Sequence, residues 1–236
     1  MLPEVIGHRG APRRHRENTL PGFTAALDAG ATAVERDVHA TADGTVVVHH
    51  DPVLGPDAGA LAGAAIATLD AGVLLATPLG DDGATIPTLD DVLRLCGARA
   101  ATVYVEAKAR DIEPAILASL GRHPATRAAV HAFDHRVALR VAAQAPAVPT
   151  GILLDSYLLD PAHALRTAGA RDYWPHRLMI DEALVHAVHE AGGRVIAWTV
   201  NDPDEATRLA AIGVDGICTD LPDVVGAALR RMRTPG

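Results

Sequence analysis

Short apolar runs rich in β-branched residues alternate with longer amphipathic segments along the chain. The runs are four to seven residues long, and the segments between them repeat their apolar positions at helical spacing, as βα units do. The pattern predicts eight strands, at residues 5–8, 33–38, 102–108, 128–133, 148–154, 171–174, 194–200 and 215–220. It predicts helices that include residues 19–30, 88–97, 135–144, 181–192, 203–211 and 221–231.

Strand and helix signals that alternate in this way predict parallel strands joined by crossover helices. Eight βα units in 236 residues match a (β/α)8 barrel, which typically needs about 250 residues. A doubly wound sheet is the alternative, but it usually has fewer strands and often carries a GxGxxG turn after the first one. The first predicted strand is followed by RGAPRR, so the pattern favours an α/β protein with a (β/α)8 barrel in a single domain, residues 1–236.

One stretch departs from the alternation. Residues 45–51, TVVVHHD, follow the second strand after only the turn ADG, which is too short for a crossover helix, so we expect a hairpin extension. The residues after it, about 51–87, are rich in Gly, Ala, Asp and Pro and are predicted to form an insertion with at most a short helix or two.

Three polar residues stand at predicted helix starts. Thr19, Thr88 and Asn201 each precede the first turn, where such a side chain accepts a hydrogen bond from a free backbone amide. We expect all three to be helix N-caps.

Composition narrows the possible functions. A formal net charge of −8 gives no reason to expect a nucleic-acid partner, and 49% hydrophobic residues with 3% aromatic ones imply a core of Ala, Val, Leu and Ile. Cys96 and Cys218 lie far apart, without zinc or disulfide spacing. Because there is no apolar signal segment and no apolar run of 18 residues, we expect a cytoplasmic protein without stable membrane insertion. None of these features specifies an oligomeric state.

Polar residues stand where the first three predicted barrel strands end. His8 closes the first strand, and Glu35 and Asp37 lie two residues apart near the end of the second. Glu106 and Lys108 repeat this spacing on the third strand. Residues two apart on a strand face the same side, and the carboxyl ends of parallel strands form the mouth of a barrel. We therefore expect these side chains to meet at the barrel mouth.

The three carboxylates, Glu35, Asp37 and Glu106, would repel one another at such a mouth, by about 4 kcal/mol per pair at about 4 Å with an effective dielectric constant of about 20. A divalent cation would offset two charges, and oxygen ligands favour Mg²⁺ or Ca²⁺ over zinc. The alternative is a set of salt bridges to Arg9, Arg36 and Lys108.

His8 and His50 are candidates for acid–base chemistry. Each ends an apolar run, and imidazole changes protonation near neutral pH. A single histidine is more often structural, but two beside a predicted carboxylate cluster suit activation of a nucleophile and protonation of a leaving group on a metal-held phosphate. Arg9 and Lys108 would then bind phosphate oxygens.

Seven motifs follow one another from residue 8 to residue 223. They are HRGA (8–11), ENTLPGF (17–23), GATAVERDVHATADGTVVVHHDPVL (30–54), IPTLDDVL (86–93), VEAK (105–108), AWTVND (197–202) and GVDGICTDLPD (213–223). In this order the chain resembles the bacterial glycerophosphodiester phosphodiesterases. The resemblance implies a TIM barrel that uses a divalent cation, Mg²⁺ or Ca²⁺, to hydrolyse a small-molecule glycerophosphodiester to glycerol 3-phosphate and an alcohol.

The resemblance also implies roles for individual residues. Glu35, Asp37 and Glu106 would bind the metal, His8 and His50 would be the acid–base pair, and Arg9 and Lys108 would contact the phosphate. His50 rather than His49 takes the catalytic position, because it is adjacent to Asp51. Two further residues have a competing explanation: Glu17 supports the site, binds the metal or is a charge beside the first helix, and Trp198 lines the glycerol pocket or packs in the core.

The chain departs from the family pattern in two places. The family usually continues HDxxLxRTT, whereas residues 50–59 read HDPVLGPDAG, and a Ser-Phe pair on the fourth strand is replaced by residues 131–133, HAF. His131 therefore either faces the site or makes a structural hydrogen bond, and we favour the second. His186 and His189 have metal-like i, i+3 spacing but are expected on an outer helix, away from the mouth.

Two other functions remain possible from the sequence. One is cleavage of lysophospholipid head groups, and the other is a phosphate-ligand binding barrel with little turnover. For the leading hypothesis, the nucleophile is either water or the glycerol hydroxyl next to the ester, and either histidine can be the acid.

Overall fold

A computed structural model describes residues 2–232, so residue 1 and residues 233–236 of the predicted domain lie outside the described part. The strands in chain order are β1 (Glu4–His8), β2 (Ala33–Ala40), β3 (Val46–Val48), β4 (Pro78–Leu79), β5 (Ala84–Thr85), β6 (Thr102–Ala107), β7 (Ala128–Ala132), β8 (Thr150–Leu154), β9 (Asp172–Pro175), β10 (Arg194–Ala197) and β11 (Gly216–Thr219).

Eight of these strands, β1, β2 and β6 to β11, are parallel and follow one another around a closed barrel. The pairing of β1 with both β2 and β11 closes it, with His8 opposite Glu35 on one side and Ile6 opposite Cys218 on the other. The predicted fold class is confirmed.

Helices cover the outside of the barrel. They are α1 (Leu20–Asp28), α2 (Ala71–Leu75), α3 (Leu89–Ala98), α4 (Glu113–Arg122), α5 (His135–Gln144), α6 (Pro161–Ala168), α7 (Glu182–Glu190), α8 (Pro203–Ala211) and α9 (Pro222–Arg231). All except α2 connect or follow barrel strands, as a (β/α)8 barrel requires. Their buried faces pack on the outer face of the sheet in one large apolar cluster.

The hairpin extension is present. β3 pairs antiparallel with the end of β2, with Val38 opposite Val48 and Ala40 opposite Val46. The insertion after it contains 3-10 turns at 56–61 and 66–68, helix α2 and the β4–β5 ribbon, and the sequence did not predict the ribbon. Apolar side chains of the insertion form a small core of their own, which includes Leu54, Ile66, Leu74, Leu79 and Ile86.

Two of the three predicted helix caps are present. The Thr19 hydroxyl accepts a hydrogen bond from the Gly22 amide, and Thr88 forms a reciprocal capping box with Asp91. The prediction for Asn201 is wrong, because Asp202 caps α8 and the Asn201 side chain turns toward the end of β11. The strand predicted over 194–200 likewise ends at Ala197.

The barrel interior is filled in layers. Apolar residues of alternate strand positions form its middle, namely Ile6, Ala33, Tyr104, Ala129, Leu153, Trp174, Ile196 and Cys218. At the amino-terminal end, Arg194 contacts the carboxylates of Glu4 (3.2 Å) and Asp172 (3.5 Å). The Tyr104 hydroxyl also donates a hydrogen bond to Glu4 at 2.7 Å. These charges are mutually paired, whereas the opposite end of the interior holds the polar groups described next.

Candidate active site

The carboxyl ends of the strands bring the predicted residues together at one mouth. His8 ends β1, Glu35 and Asp37 lie on β2, and Glu106 lies on β6. The register places Glu35 beside His8 and Asp37 beside Glu106, so closure of the barrel juxtaposes residues that are 27 to 98 positions apart. Lys108 follows β6 directly, and its ammonium lies 3.0 Å from Glu106 Oε1.

Glu35 lies in an unfavourable place for an ionised carboxylate. It is 3% exposed, and its only hydrogen bond within residues 2–232 comes from the Arg9 backbone amide, which donates to Oε2 at 3.2 Å, so Oε1 has no partner. Burial, followed by repulsion from Asp37 and Glu106, raises the pKa of Glu35 to about 8. Burial and the charge of Asp37 also raise the pKa of Glu106.

Asp37 has the opposite environment. The guanidinium Nε of Arg9 lies 3.1 Å from Oδ2, the Lys108 ammonium lies 3.5 Å from Oδ1, and the Asn18 amide donates to Oδ2 at 2.9 Å. Burial alone would raise the pKa of Asp37, but Arg9 and Lys108 outweigh it and lower that pKa. The pKa values of Glu35 and Asp37, two residues apart on one strand, are therefore shifted in opposite directions.

The HRG turn fixes Arg9 against the second strand. Arg9 has φ 53° and Gly10 φ 94°, and a Cβ on Gly10 would lie 2.6 Å from the Gly22 carbonyl carbon in α1. Only glycine fits there without moving the backbone. The Arg9 guanidinium Nη1 donates to both oxygens of Glu17, at 3.0 and 3.2 Å. Glu17 thus contacts Arg9, which lies between it and Asp37.

His8 is held by residues from the far end of the chain. Its Nδ1 donates to Asp220 Oδ1 at 2.7 Å, and Asn201 donates to Asp220 Oδ2 at 2.7 Å. The Asn201 side-chain oxygen accepts from the Asp220 amide at 2.8 Å, which fixes the loop after β11. Burial is the largest single influence and opposes protonation of His8, but the Asp220 hydrogen bond together with the charges of Glu35 and Asp220 outweighs it and raises the pKa of His8. Because Nδ1 is committed to Asp220, Nε2 is the ring nitrogen that this contact leaves uncommitted.

His50 shows the same arrangement beyond the end of β3. Its Nδ1 donates to Asp51 Oδ1 at 2.8 Å, and Lys108 donates to its Nε2 at 3.2 Å. The buried His39 donates from Nε2 to the His50 carbonyl at 3.0 Å and fixes this turn. Each histidine therefore has an aspartate on Nδ1, as a fixed acid–base group requires.

His131 faces the barrel interior next to Glu106. It is 1% exposed, its ring stacks on Trp174 at 4.4 Å between centroids, and its Nε2 lies 3.9 Å from Glu35 Oε1. Neither ring nitrogen has a hydrogen-bond partner among the described residues. The structural hydrogen bond that the sequence favoured is absent there. Burial lowers the pKa of His131 to about 3, so the ring is neutral.

A family model described as the glycerophosphoryl diester phosphodiesterase family matches residues 8–224. This chain belongs to that family. The membership confirms the resemblance that the motifs indicated, and the chain is a phosphoric diester hydrolase.

Relatives and solved structures agree with this membership over almost the whole chain. A glycerophosphodiester phosphodiesterase of Caldanaerobacter subterraneus is 29% identical over 239 residues, which cover 96% of this chain and 98% of the relative. The glycerophosphodiester phosphodiesterase structure from Agrobacterium tumefaciens is 25% identical with a TM-score of 0.85, covering 96% of this chain and 100% of that one. A phosphodiesterase structure from Oleispira antarctica, in complex with the product sn-glycerol-3-phosphate, shares the fold with a TM-score of 0.89 at 24% identity, covering 97% of each chain.

The donor set of this family member fits a divalent cation. One oxygen or nitrogen each from Glu35, Glu106 and His131 lie within 4.8 Å of one another, and all three side chains are largely buried. Within residues 2–232, Glu35 Oε1 has no hydrogen-bond partner, and a cation beside Glu35 would offset the burial and repulsion that raise the pKa of this carboxyl.

Salt bridges neutralise only part of the negative charge of the three carboxylates. Arg9 and Lys108 do contact the carboxylates, but Arg36 lies on the outer face of β2, where it bonds to the Val34 carbonyl and packs over Phe23. Strand alternation places Arg36 and Glu35 on opposite faces. Two cationic side chains therefore face three carboxylates.

Trp198 lies at the mouth after β10. Its indole nitrogen donates to the Trp174 carbonyl at 2.9 Å, and its ring meets Phe133 and His176 edge to face, at 5.5 and 5.4 Å. It is partly exposed, so it forms an apolar side of the mouth as well as packing on the interior cluster.

His186 and His189 lie on the outer helix α7, as the sequence predicted. The His186 imidazole pairs with Glu190 at 3.2 Å, and His189 pairs with Asp215 at 2.9 Å. Neither belongs to the mouth.

Sequence reasoning missed four residues that support the mouth: Asn18, His39, Asn201 and Asp220. Asn18, Asn201 and Asp220 lie inside the ENT, WTVND and GICTD motifs, so the motifs were the signal that pointed to them. His39 had none, because alternation alone does not reveal a hydrogen bond to the His50 carbonyl.

Along residues 2–232, none of the helices has both the length and the apolar character needed to cross a membrane.

Proposed function

We propose that this chain hydrolyses glycerophosphodiesters to sn-glycerol 3-phosphate and an alcohol, using a divalent cation and the pair His8 and His50. The observation that carries the proposal is the arrangement of two aspartate-held histidines around one carboxylate cluster, His8 with Asp220 and His50 with Asp51. Family membership and the product bound to the Oleispira antarctica enzyme support the substrate class.

Glu35, Asp37 and Glu106 are the proposed ligands of the cation, and their oxygens suit Mg²⁺ or Ca²⁺. When bound, the cation would supply Lewis-acid polarisation of the phosphoryl group. Arg9 and Lys108 would hold phosphate oxygens, and the contacts of Glu17 and Asp37 with Arg9 would set the direction of its guanidinium. Trp198 would border the glycerol moiety on the apolar side of the mouth.

The proposed chemistry needs two proton transfers. One histidine Nε2 accepts the proton of the attacking oxygen, which is water or the neighbouring glycerol hydroxyl, as a new P–O bond forms. The other histidine donates its proton to the departing alkoxide as the ester P–O bond breaks. When the glycerol hydroxyl is the nucleophile, this displacement gives a cyclic phosphate, and water opens the ring in a second displacement that breaks the P–O bond to that hydroxyl oxygen, reprotonates it and releases glycerol 3-phosphate. Asp220 and Asp51 hold each ring so that Nε2 is the exchanging atom.

The test is release of glycerol 3-phosphate from glycerophosphocholine, with and without a chelator. We expect loss of activity on chelation and in His8→Ala, His50→Ala and Glu35→Gln, with recovery when Mg²⁺ or Ca²⁺ is returned to the wild type. His186→Ala is the matched control, because His186 pairs with Glu190 on the outer helix. Wild-type rates in the three site variants would refute the site, and binding of glycerophosphocholine without turnover would favour a binding barrel.

A second candidate substrate is a lysophospholipid. The observation that favours it is a set of exposed apolar side chains on the loops after β7, β8 and β9: Leu159 is 97% exposed, Leu178 67% and Phe133 48%. Phe133 touches Trp198, so this surface adjoins the mouth. Large apolar side chains of the insertion are instead mostly buried in its own core, so the insertion does not provide such a surface.

A further inference from the structure

His131 is a polar residue without a structural explanation in the barrel interior. Its imidazole is 1% exposed, and neither nitrogen has a partner within residues 2–232. Buried polar groups are nearly always paired, so an unpaired one needs an explanation, and a bound ion is one such explanation. Stacking on Trp174 explains why a flat ring is buried at this position, but it does not explain why the ring carries two polar nitrogens.

Trp174 and the β6–β7 register fix the position of the His131 ring. A Cβ on Gly151 would lie 3.0 Å from the Trp174 indole, so the glycine gives this indole the room it needs beneath the histidine. The β6–β7 register places His131 opposite Glu106, and its Nε2 faces the Glu35 oxygen that also lacks a partner, at 3.9 Å. Two orphaned buried atoms thus face each other across a gap too wide for a hydrogen bond.

Three side chains with metal-binding atoms surround this gap. One atom from each of Glu35, Glu106 and His131 lies within 4.8 Å of the other two, a separation that one cation with bonds of about 2.0–2.2 Å bridges after small side-chain adjustments. Asp37, the third carboxylate of the proposed cation site, is not among these three donors and contacts Arg9 and Lys108.

We propose that His131 is a nitrogen ligand of the cation, joining Glu35 and Glu106, and that it shifts the preference of the site from Mg²⁺ and Ca²⁺ toward Mn²⁺ and Zn²⁺. Carboxylates and waters suit Mg²⁺ and Ca²⁺, whereas an imidazole in the set favours cations that accept nitrogen. The inference rests on the cation site of the proposed function and adds a ligand to it.

The test is pulsed electron paramagnetic resonance on the full chain, stripped with a chelator and loaded with MnCl₂. We expect nitrogen-14 modulation from a directly bound imidazole in the wild type and its loss in His131→Phe, which keeps a flat ring against Trp174. His186→Phe, on the outer helix, is the matched control and should retain the modulation. His131→Gln, which offers no imidazole nitrogen, is a second variant in case the phenylalanine does not fold, and the melting temperature without metal checks both.

Cation competition gives a second measurement. Equilibrium titrations should show that His131→Phe weakens Mn²⁺ and Zn²⁺ binding by about tenfold or more, while Mg²⁺ binding changes by less than about threefold. Mn²⁺ bound to the wild type without nitrogen modulation, or modulation that persists in folded His131 variants, would overturn the assignment and leave the proposed function standing. Failure of the wild type to bind any of these cations would overturn both.

Discussion

Asp220 accepts a hydrogen bond from His8 Nδ1 at 2.7 Å, although 212 positions separate the two residues in the chain. This contact fixes the ring and, together with the charges of Glu35 and Asp220, raises the pKa of His8 against the opposing effect of burial. We expect Asp220→Asn to lower that pKa and to reduce the rate of glycerophosphodiester hydrolysis by about 100-fold. Nuclear magnetic resonance titration of His8 and the pH profile of kcat/KM measure the two effects.

The control for this variant is Asp223→Asn, because Asp223 lies three positions further on and pairs with Arg14 outside the mouth. The sign of the linked stability follows from the raised pKa. The His8–Asp220 contact contributes its full stabilisation of the fold when the pH is below about 6.5, the pKa of histidine in the unfolded chain. This contribution is lost as the pH rises through the higher pKa of His8 in the folded protein. An unchanged His8 titration in Asp220→Asn would contradict the role given to this contact.

Glu35→Gln should make the metal-free protein more stable at alkaline pH. The folded pKa of Glu35 is about 8, above its usual value, so the folded state holds the proton more tightly and loses stability as pH rises from about 4.5 to 8. The neutral amide removes the repulsion from Asp37 and Glu106, and we expect a melting temperature at least about 2 °C higher at pH 9 with chelator present.

Glu182→Gln, on α7 outside the mouth, should leave this melting temperature unchanged. A lower melting temperature in Glu35→Gln at pH 9 would show that the carboxylate is not strained in the metal-free fold.

Asp90 should govern part of the acid stability of the helix layer. Its carboxylate binds Arg122, Ser119 and His123, and the Arg122 hydrogen bond is the main cause that lowers its pKa to about 2. Because the folded pKa is depressed, the stabilisation is present above the unfolded pKa of about 3.9 and is lost as pH falls toward 2.

Since Asp90 is partly solvated, we expect Asp90→Asn to cost only about 1 kcal/mol of unfolding free energy at pH 7. The difference from wild type should shrink as pH falls from about 4 to 2, which urea unfolding measures. Asp28→Asn breaks an exposed pair with Arg99 and should cost less than about 0.5 kcal/mol. An equal loss in both variants would rule out a special role for Asp90.

Leu159→Ser and Leu178→Ser should separate the two candidate substrates. If the exposed loops bind an acyl chain, these changes raise KM for lysophosphatidylcholine by about 10-fold, because an apolar contact is worth roughly 1–3 kcal/mol, and leave glycerophosphocholine turnover unchanged. Leu139→Ser is the control, since Leu139 is also an exposed leucine, at 48%, but lies on the outer helix α5. If both loop variants keep the wild-type ratio of the lysophosphatidylcholine rate to the glycerophosphocholine rate, acyl binding at this surface is excluded.

The alternation of apolar runs was enough to predict the barrel, the hairpin after β2 and the faces of the main site residues. This succeeds because strand and helix periods are local properties of the chain, and a parallel barrel collects its strand ends at one mouth. Local reasoning is wrong for Asn201, which was predicted to cap a helix but bonds to Asp220, and for His131, whose expected hydrogen bond is absent within residues 2–232.

The sequence by itself determined the fold class, the residue types at the mouth and, through seven ordered motifs, the family. Only the tertiary structure decided which charged groups pair with one another. Closure of β1 against β11 gives His8 its aspartate, and the β6–β7 register leaves His131 facing Glu35 without a hydrogen-bond partner among residues 2–232. Pairing, burial and the pKa values that follow depend on distances between residues far apart in the chain, and no periodicity measures those distances.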